Sequence, residues 1–196
     1  MNLDYSSSMS ESLRRVKSLE KRFEIVQTIV LSLAVAGLTG LLAQIRIPLP
    51  LTPVPITGQV FGVLLAGLLF GRRVGGFSQF LYLSGGVAGV PWFTGMSAGL
   101  GVLVGPTGGF LVGFVLAGFA VGWIKDLILD DGQFGSVWLS AGFGLLIIYL
   151  FGSLHLGILF QLGPREVLVA AVVPFLWIDL MKISLLAGVY HLFSDH

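Results

Sequence analysis

Between Val74 and Ile124 the chain runs about fifty residues without one charged side chain, and the middle of that stretch is crowded with glycine. The segment from Trp92 to Gly109 is too apolar for a surface loop and too rich in glycine for an unbroken helix. Irregular backbone is tolerated at membrane depth only where protein buries it or where it lines a cavity. A break of this kind inside an apolar run therefore points to a pocket facing the membrane interior. Composition agrees: 55% of the residues are hydrophobic and 11% charged, against about 25% charged in soluble domains. Several uncharged runs reach the ~20 residues that cross a bilayer.

Other classes lose support on the same page. The net charge of +1 comes without a basic stripe interleaved with aromatics, so nucleic-acid binding is unsupported. The chain has no cysteine, which removes disulfides, thiolate zinc sites and iron–sulfur clusters. No GxxxxGK or GxGxxG run is present to cradle a nucleotide. Ser84, Ser97 and Ser153 have no His–Asp set nearby, so nucleophilic catalysis has no visible machinery. No metal or cofactor is expected.

The expected fold class is all-α, an integral membrane protein of six transmembrane helices with a Gly-rich loop between the third and fourth. Residues 1–24, rich in Ser and charge and without the apolar core of a signal peptide, read as a cytoplasmic tail, disordered or surface-lying. The membrane domain spans 25–193. Its first span is expected over about Ile25–Gln44, followed by a turn in which Pro48, Pro50, Pro53 and Pro55 forbid helix. The second covers about Ile56–Phe70, stopping at Gly71-Arg72-Arg73, and the third about Val74–Val90. The fourth starts near Pro106, a residue suited to a first helical position, and ends at Lys125-Asp126. After a polar turn at Asp130, Asp131 and Gly132, the fifth covers about Phe134–Gln161 and the sixth about Val167–Phe193. With both termini cytoplasmic, the inner segments hold Arg14, Arg15, Lys17, Lys21, Arg22, Arg72, Arg73 and Lys125, and the outer loops only Arg46 and Arg165. That bias obeys the positive-inside rule in a cell membrane, and an odd number of spans would spoil it.

Asp179 and Lys182 are the only Asp, Glu, Lys or Arg between Glu166 and Asp195. Each costs about 2.5–3.5 kcal/mol near a helix centre, and a spacing of three puts both on one face, close enough to pair. They either neutralise each other as a packing anchor or form the polar floor of a ligand pocket. The second reading is favoured, because ionisable groups inside a membrane are functional candidates by default.

Gly101, Gly105, Gly109, Gly113 and Ala117 recur every four residues. Tight helix packing accounts for Gly109, Gly113 and Ala117. Gly95, Gly99 and Gly101, ahead of Pro106, suit a backbone-lined loop. The N–H groups of Thr107 and Gly108 at the start of the fourth span are candidates to hold a ligand carboxylate. Trp92 and Phe93 are candidates to stack on a flat ligand, although interfacial anchoring explains Trp92 and Trp177 equally well. His155 reads as a hydrogen-bonded packing residue.

Taken in order, these segments resemble a known family. Ala43-Gln44-Ile45-Arg46-Ile47-Pro48-Leu49-Pro50 and Pro53-Val54-Pro55-Ile56-Thr57-Gly58-Gln59 are similar to the first loop of the BioY family, the biotin-specific substrate-binding (S) component of energy-coupling-factor transporters. Leu64 to Gly71, Gly89 to Gly95, Gly105 to Phe110 and Asp179-Leu180-Met181-Lys182 match in the same order, over about residues 30–190. The resemblance implies a non-enzymatic six-helix protein that captures biotin from outside and docks onto a transmembrane T subunit with two cytoplasmic ATPases. It implies that Asp179 and Lys182 meet the ligand, and that the Gly95–Gly101 loop, with Ser97 and Gly99, caps the pocket. It also brings Gln59 into the candidate set, and Ala36, Gly40, Thr39 and Ala43 as a T-subunit surface; within the sequence those four are equally consistent with internal packing.

Two departures stand out. Some relatives carry Asn where this chain has Ser97, and some carry Arg after Gly-Gly-Tyr where Phe110 and Leu111 stand here. Without that Arg the chain needs another anion anchor, for which the helix start at Thr107 and Gly108, or Lys182, is available. The competing functions are an S component for another vitamin, a solitary carrier working without an ATPase, and a membrane enzyme. The last is disfavoured by the missing catalytic sets.

Overall fold

The computed structural model describes residues 2–128 and 134–194, so the turn at Asp130, Asp131 and Gly132 lies outside the described residues. Helix α1 (Asn2–Leu42) covers the expected first span except its last two residues, and the polar segment before Ile25 continues it as helix. The four prolines that follow do more than stop α1. They lie in and between two short strands, β1 (Arg46–Leu49) and β2 (Thr52–Thr57), paired antiparallel with Arg46 opposite Thr57 and Ile47 opposite Ile56. Proline has no N–H to give a ladder, so it is accommodated where a strand edge is open, as in this two-stranded ribbon. Thr52, Val54 and Ile56 turn inward at the two-residue period of a strand. The expectation of an all-α fold is therefore corrected: the protein is mostly helical, with a β-hairpin where a plain turn was expected.

Among the described residues five helices are long and apolar enough to cross a membrane: Arg14–Leu42, Gln59–Val87, Gly108–Ile128, Gly135–Phe160 and Val173–His191. The count is five where six spans were expected because the second and third runs form one element, α2 (Gln59–Val87), folded back on itself at Gly71. Gly71 has φ 74° and ψ 179°, a conformation open to glycine and costly for other residues. Gln59 Nε2 donates to Tyr82 OH at 2.8 Å, whereas 23 residues of straight helix would separate them by about 35 Å. A β-carbon on Gly75 would lie 2.9 Å from Gly67 Cα, so the two arms, residues 59–70 and 72–87, lie side by side.

The chain next runs through an irregular segment with left-handed backbone at Gly95 (φ 71°) and Met96 (φ 59°), then a single helical turn, α3 (Leu100–Val104). Helix α4 (Gly108–Ile128) starts two residues after Pro106. It crosses both arms of α2 where no side chain intervenes: a β-carbon on Gly75 would collide with the Gly118 carbonyl oxygen, and one on Gly118 with that of Gly75. Gly109 lies against Phe151 and His155 of α5 (Phe134–Phe160) with no room for a β-carbon, and Gly113 lies close to Ile148 and Phe151, the tight packing expected of that stripe.

The sixth span is interrupted. Helix α6 (Pro164–Ala171) ends at Val172 (φ −127°, ψ −59°), and α7 (Val173–Ser194) begins with Pro174 in its first turn. A proline there removes one N–H and crowds the carbonyl four residues back, so the span expected from Val167 starts at Val173.

Charge marks one end of the bundle. Arg72 Nε lies 3.9 Å from Asp126 Oδ2, and Lys125 Nζ sits 5.1 Å from the ring centroid of Tyr190. The α2 fold-back and the C-terminal ends of α4 and α7 therefore share that end. The hairpin and the irregular segment lie at the other.

Candidate ligand site

Asp179 and Lys182, one turn apart on α7, do pair: Lys182 Nζ donates to Asp179 Oδ1 at 2.7 Å. Lys182 also donates to the Thr57 carbonyl at the end of β2, 2.8 Å away. The second carboxylate oxygen accepts from Tyr149 OH of α5 at 2.7 Å. Asp179 is only 3% exposed. A buried ion pair is tolerated when further hydrogen bonds satisfy its remaining lone pairs and protons, and Tyr149 and Thr57 supply them. Sequence reading missed Tyr149, because a tyrosine 30 residues away on another helix gives no local signal. Tyr149→Phe keeps the ring but strips one hydrogen bond from a buried carboxylate. It is expected to destabilise the protein by about 1.5–3 kcal/mol, measured by thermal unfolding in detergent.

This polar corner forms part of the wall of a cavity of about 290 Å³. Phe110 and Phe114 of α4, Ile148 of α5 and Phe175 of α7 give it apolar walls. The hairpin contributes Val54, Ile56 and Thr57, and the irregular segment Phe93, Thr94 and Ser97. Arg46, an exposed residue of β1, lines both this cavity and the adjoining groove beside Pro48, Leu49 and Thr52, which places it at the rim.

Two glutamines fasten the irregular segment to the rest. Gln59, 4% exposed, accepts from Thr57 Oγ1 at 2.9 Å and Thr94 Oγ1 at 3.1 Å. It also donates to Tyr82 OH, which in turn donates to the Trp92 carbonyl at 3.1 Å. Gln44 donates to the carbonyls of Gly40, Trp92 and Phe93 at 2.9, 3.3 and 3.2 Å and accepts from the Met96 N–H at 3.0 Å. Within 92–97 the backbone pairing is the Phe93–Ser97 bridge, so these side-chain bonds are what tie the segment to the end of α1 and to α2.

The expected site residues divide. Asp179, Lys182, Gln59, Phe93, Ser97 and Thr107 line the cavity. Trp92 is placed elsewhere: its ring packs against Tyr82 (5.4 Å between centroids) and covers Gly40 and Gly85, and its Nε1 donates to the Tyr82 carbonyl at 2.8 Å. Gly95 lies beneath the Arg46 guanidinium, and the Gly99 N–H donates to the Gly86 carbonyl at 2.7 Å. The Gly108 N–H donates to the Gly105 carbonyl at 3.1 Å, so it is already engaged. Ala36, Thr39, Gly40 and Ala43 are buried, with Thr39 Oγ1 accepting from Gln79 Nε2 at 3.2 Å and Gly40 under Trp92. They serve internal packing. His155 Nε2 lies 2.9 Å from the Gly105 carbonyl; a carbonyl only accepts, so this nitrogen carries the proton. Trp177 is 78% exposed and faces away from the cavity.

Comparison with known proteins adds an independent line. A biotin transporter BioY of Thermotoga maritima is 37% identical over 142 residues, covering 72% of this chain and 81% of its own. A probable biotin transporter BioY of Methanothermobacter thermautotrophicus is 41% identical over 130 residues, covering 61% and 81%. The crystal structure of the S-component for biotin from an ECF-type ABC transporter has the same fold, with a TM-score of 0.78 and 24% identity over 88% of this chain and 93% of that one. Such relatives and five apolar helices make this a multi-pass membrane protein. The BioY family is matched over residues 9–195, nearly the full length, and the chain belongs to that family.

Proposed function

We propose that the protein is the biotin-binding S component of an energy-coupling-factor transporter. The observation that carries this reading is the Asp179–Lys182–Tyr149 corner set into an otherwise aromatic cavity. Biotin presents a ureido group with two N–H donors and one carbonyl acceptor, on a fused bicycle that is otherwise apolar. An ammonium has three donors and a carboxylate about four acceptor sites. Lys182 uses two donors on Asp179 and Thr57, and Asp179 two acceptor sites on Lys182 and Tyr149. One donor and two acceptor sites remain, the complement of a ureido group. Phe93, Phe110, Phe114 and Phe175 offer the rings apolar walls.

In the membrane, α1, the two arms of α2, α4, α5 and α7 make six passes, with both termini and the Arg72–Asp126 end cytoplasmic. The cavity then opens outward and the segment 92–101 acts as its cap. The loaded protein hands biotin across by docking onto a T subunit with two cytoplasmic ATPases, and carries out no chemistry itself. The test is equilibrium binding of biotin to the purified protein in detergent, without ATP or partners. Tight binding that excess riboflavin and thiamine do not displace is expected; a folded, monodisperse sample that ignores biotin would overturn the reading.

A further inference from the structure

We propose that Arg46 is the anion subsite of this cavity, receiving the ligand's carboxylate at the rim; the proposal rests on the biotin reading above. The charged residues lining the cavity are Arg46, Asp179 and Lys182. Asp179 and Lys182 cancel each other at 2.7 Å, which leaves the wall with one uncompensated positive charge. That charge is the Arg46 guanidinium, and among the described residues no carboxylate pairs with it. A ligand carrying a single negative charge restores neutrality.

Two of the other candidate anchors are already paired, and the third, the Thr107 N–H in the cavity wall, carries no charge to match the ligand's. Lys182 is held by Asp179 and the Thr57 carbonyl, and the Gly108 N–H by the Gly105 carbonyl. Position also favours Arg46. It stands opposite Thr57 in the hairpin, about 5 Å away by strand spacing, and Thr57 is the residue whose carbonyl holds Lys182. The hairpin therefore presents the polar corner on one side and the guanidinium on the other, toward the rim. Biotin has the matching layout, with its carboxylate at the end of a flexible chain leading away from the ureido ring. Gly95 gives the guanidinium its place: a β-carbon there would overlap Arg46 Nη1, and φ of 71° disfavours one in any case. A guanidinium so placed offers paired N–H donors that fit a carboxylate.

The experiment compares biotin with its neutral primary amide as ligands of the wild-type protein, Arg46→Gln and Arg46→Lys. The wild type is expected to prefer biotin by about tenfold or more, the value of a charge-assisted hydrogen bond. Arg46→Gln should bind both compounds as the wild type binds the amide, and Arg46→Lys should fall between. Equal weakening of both compounds in Arg46→Gln would assign Arg46 to loop packing and overturn the proposal, as would no change in either. Wild-type protein that binds biotin and amide equally would overturn the subsite while leaving the biotin reading intact. Wild-type protein that binds neither would overturn that reading and the subsite with it.

Discussion

Replacing Asp179 by Ala is expected to weaken biotin binding by at least about 100-fold and to destabilise the protein by about 3–5 kcal/mol. The carboxylate sits at the meeting point of three elements: Lys182 on its own helix, Tyr149 on α5, and, through Lys182, the Thr57 carbonyl of the hairpin. Its removal leaves an ammonium in the cavity wall without a counter-ion and a buried tyrosine hydroxyl without its acceptor. Truncating one partner of a buried, hydrogen-bonded pair costs far more than the pair is worth, because the other charge stays desolvated. That same asymmetry supplies a control. The double variant Asp179→Leu with Lys182→Met removes both charges and keeps the volume, so most of the lost stability should return, less the cost of about 1–3 kcal/mol of the Tyr149 hydroxyl left without its acceptor, while binding stays lost. Thermal unfolding in detergent and equilibrium binding separate the two effects. A double variant that regains biotin affinity along with stability would reduce the pair to a packing anchor.

Gly118→Val is expected to harm the fold severely. The β-carbon would enter the space of the Gly75 carbonyl oxygen, and Gly75 in turn has no room to retreat from Gly67 and Gly118. Overpacking against a side chain costs about 1–3 kcal/mol, and the obstacle here is backbone, which no rotamer change relieves. The prediction is a loss of monodisperse protein or a large fall in Tm. Gly142→Ala is the matched control: nothing lies within 4 Å of the added carbon in the middle of α5. In a helix interior that exchange is worth roughly 0.5–1 kcal/mol in the stabilising direction. Equal melting temperatures for both variants would show that α4 does not cross α2 at this distance.

How far the sequence could be read differed from element to element. Hydropathy located the apolar helices because, in a bilayer, every backbone N–H and C=O must be satisfied within its own segment. Charge located Asp179 and Lys182, since two ionisable groups in a long apolar run stand out on cost alone. The prolines excluded helix between Gln44 and Thr57, but the antiparallel register that sets Arg46 opposite Thr57 depends on pairing between strands and had no local signature. Trp92 and Phe93 show the limit most clearly. Adjacent in sequence and alike in chemistry, they separate completely, Phe93 to the cavity wall and Trp92 to a slot beside Gly40 and Gly85. Which way each ring turns is decided by the space left by α1 and α2.

What the sequence by itself determined was therefore one-dimensional: a multi-span membrane chain, a glycine-rich interruption in it, and a buried Asp–Lys pair three residues apart. Those properties follow from transfer free energies and helix periodicity, which act along the chain. Only the tertiary structure decided that α2 folds back at Gly71, that Tyr149 completes the carboxylate's hydrogen bonds, and that Arg46 arrives at the cavity rim. Each of these depends on groups brought together from distant positions, where close packing and the pairing of polar groups, rather than local propensity, set the outcome.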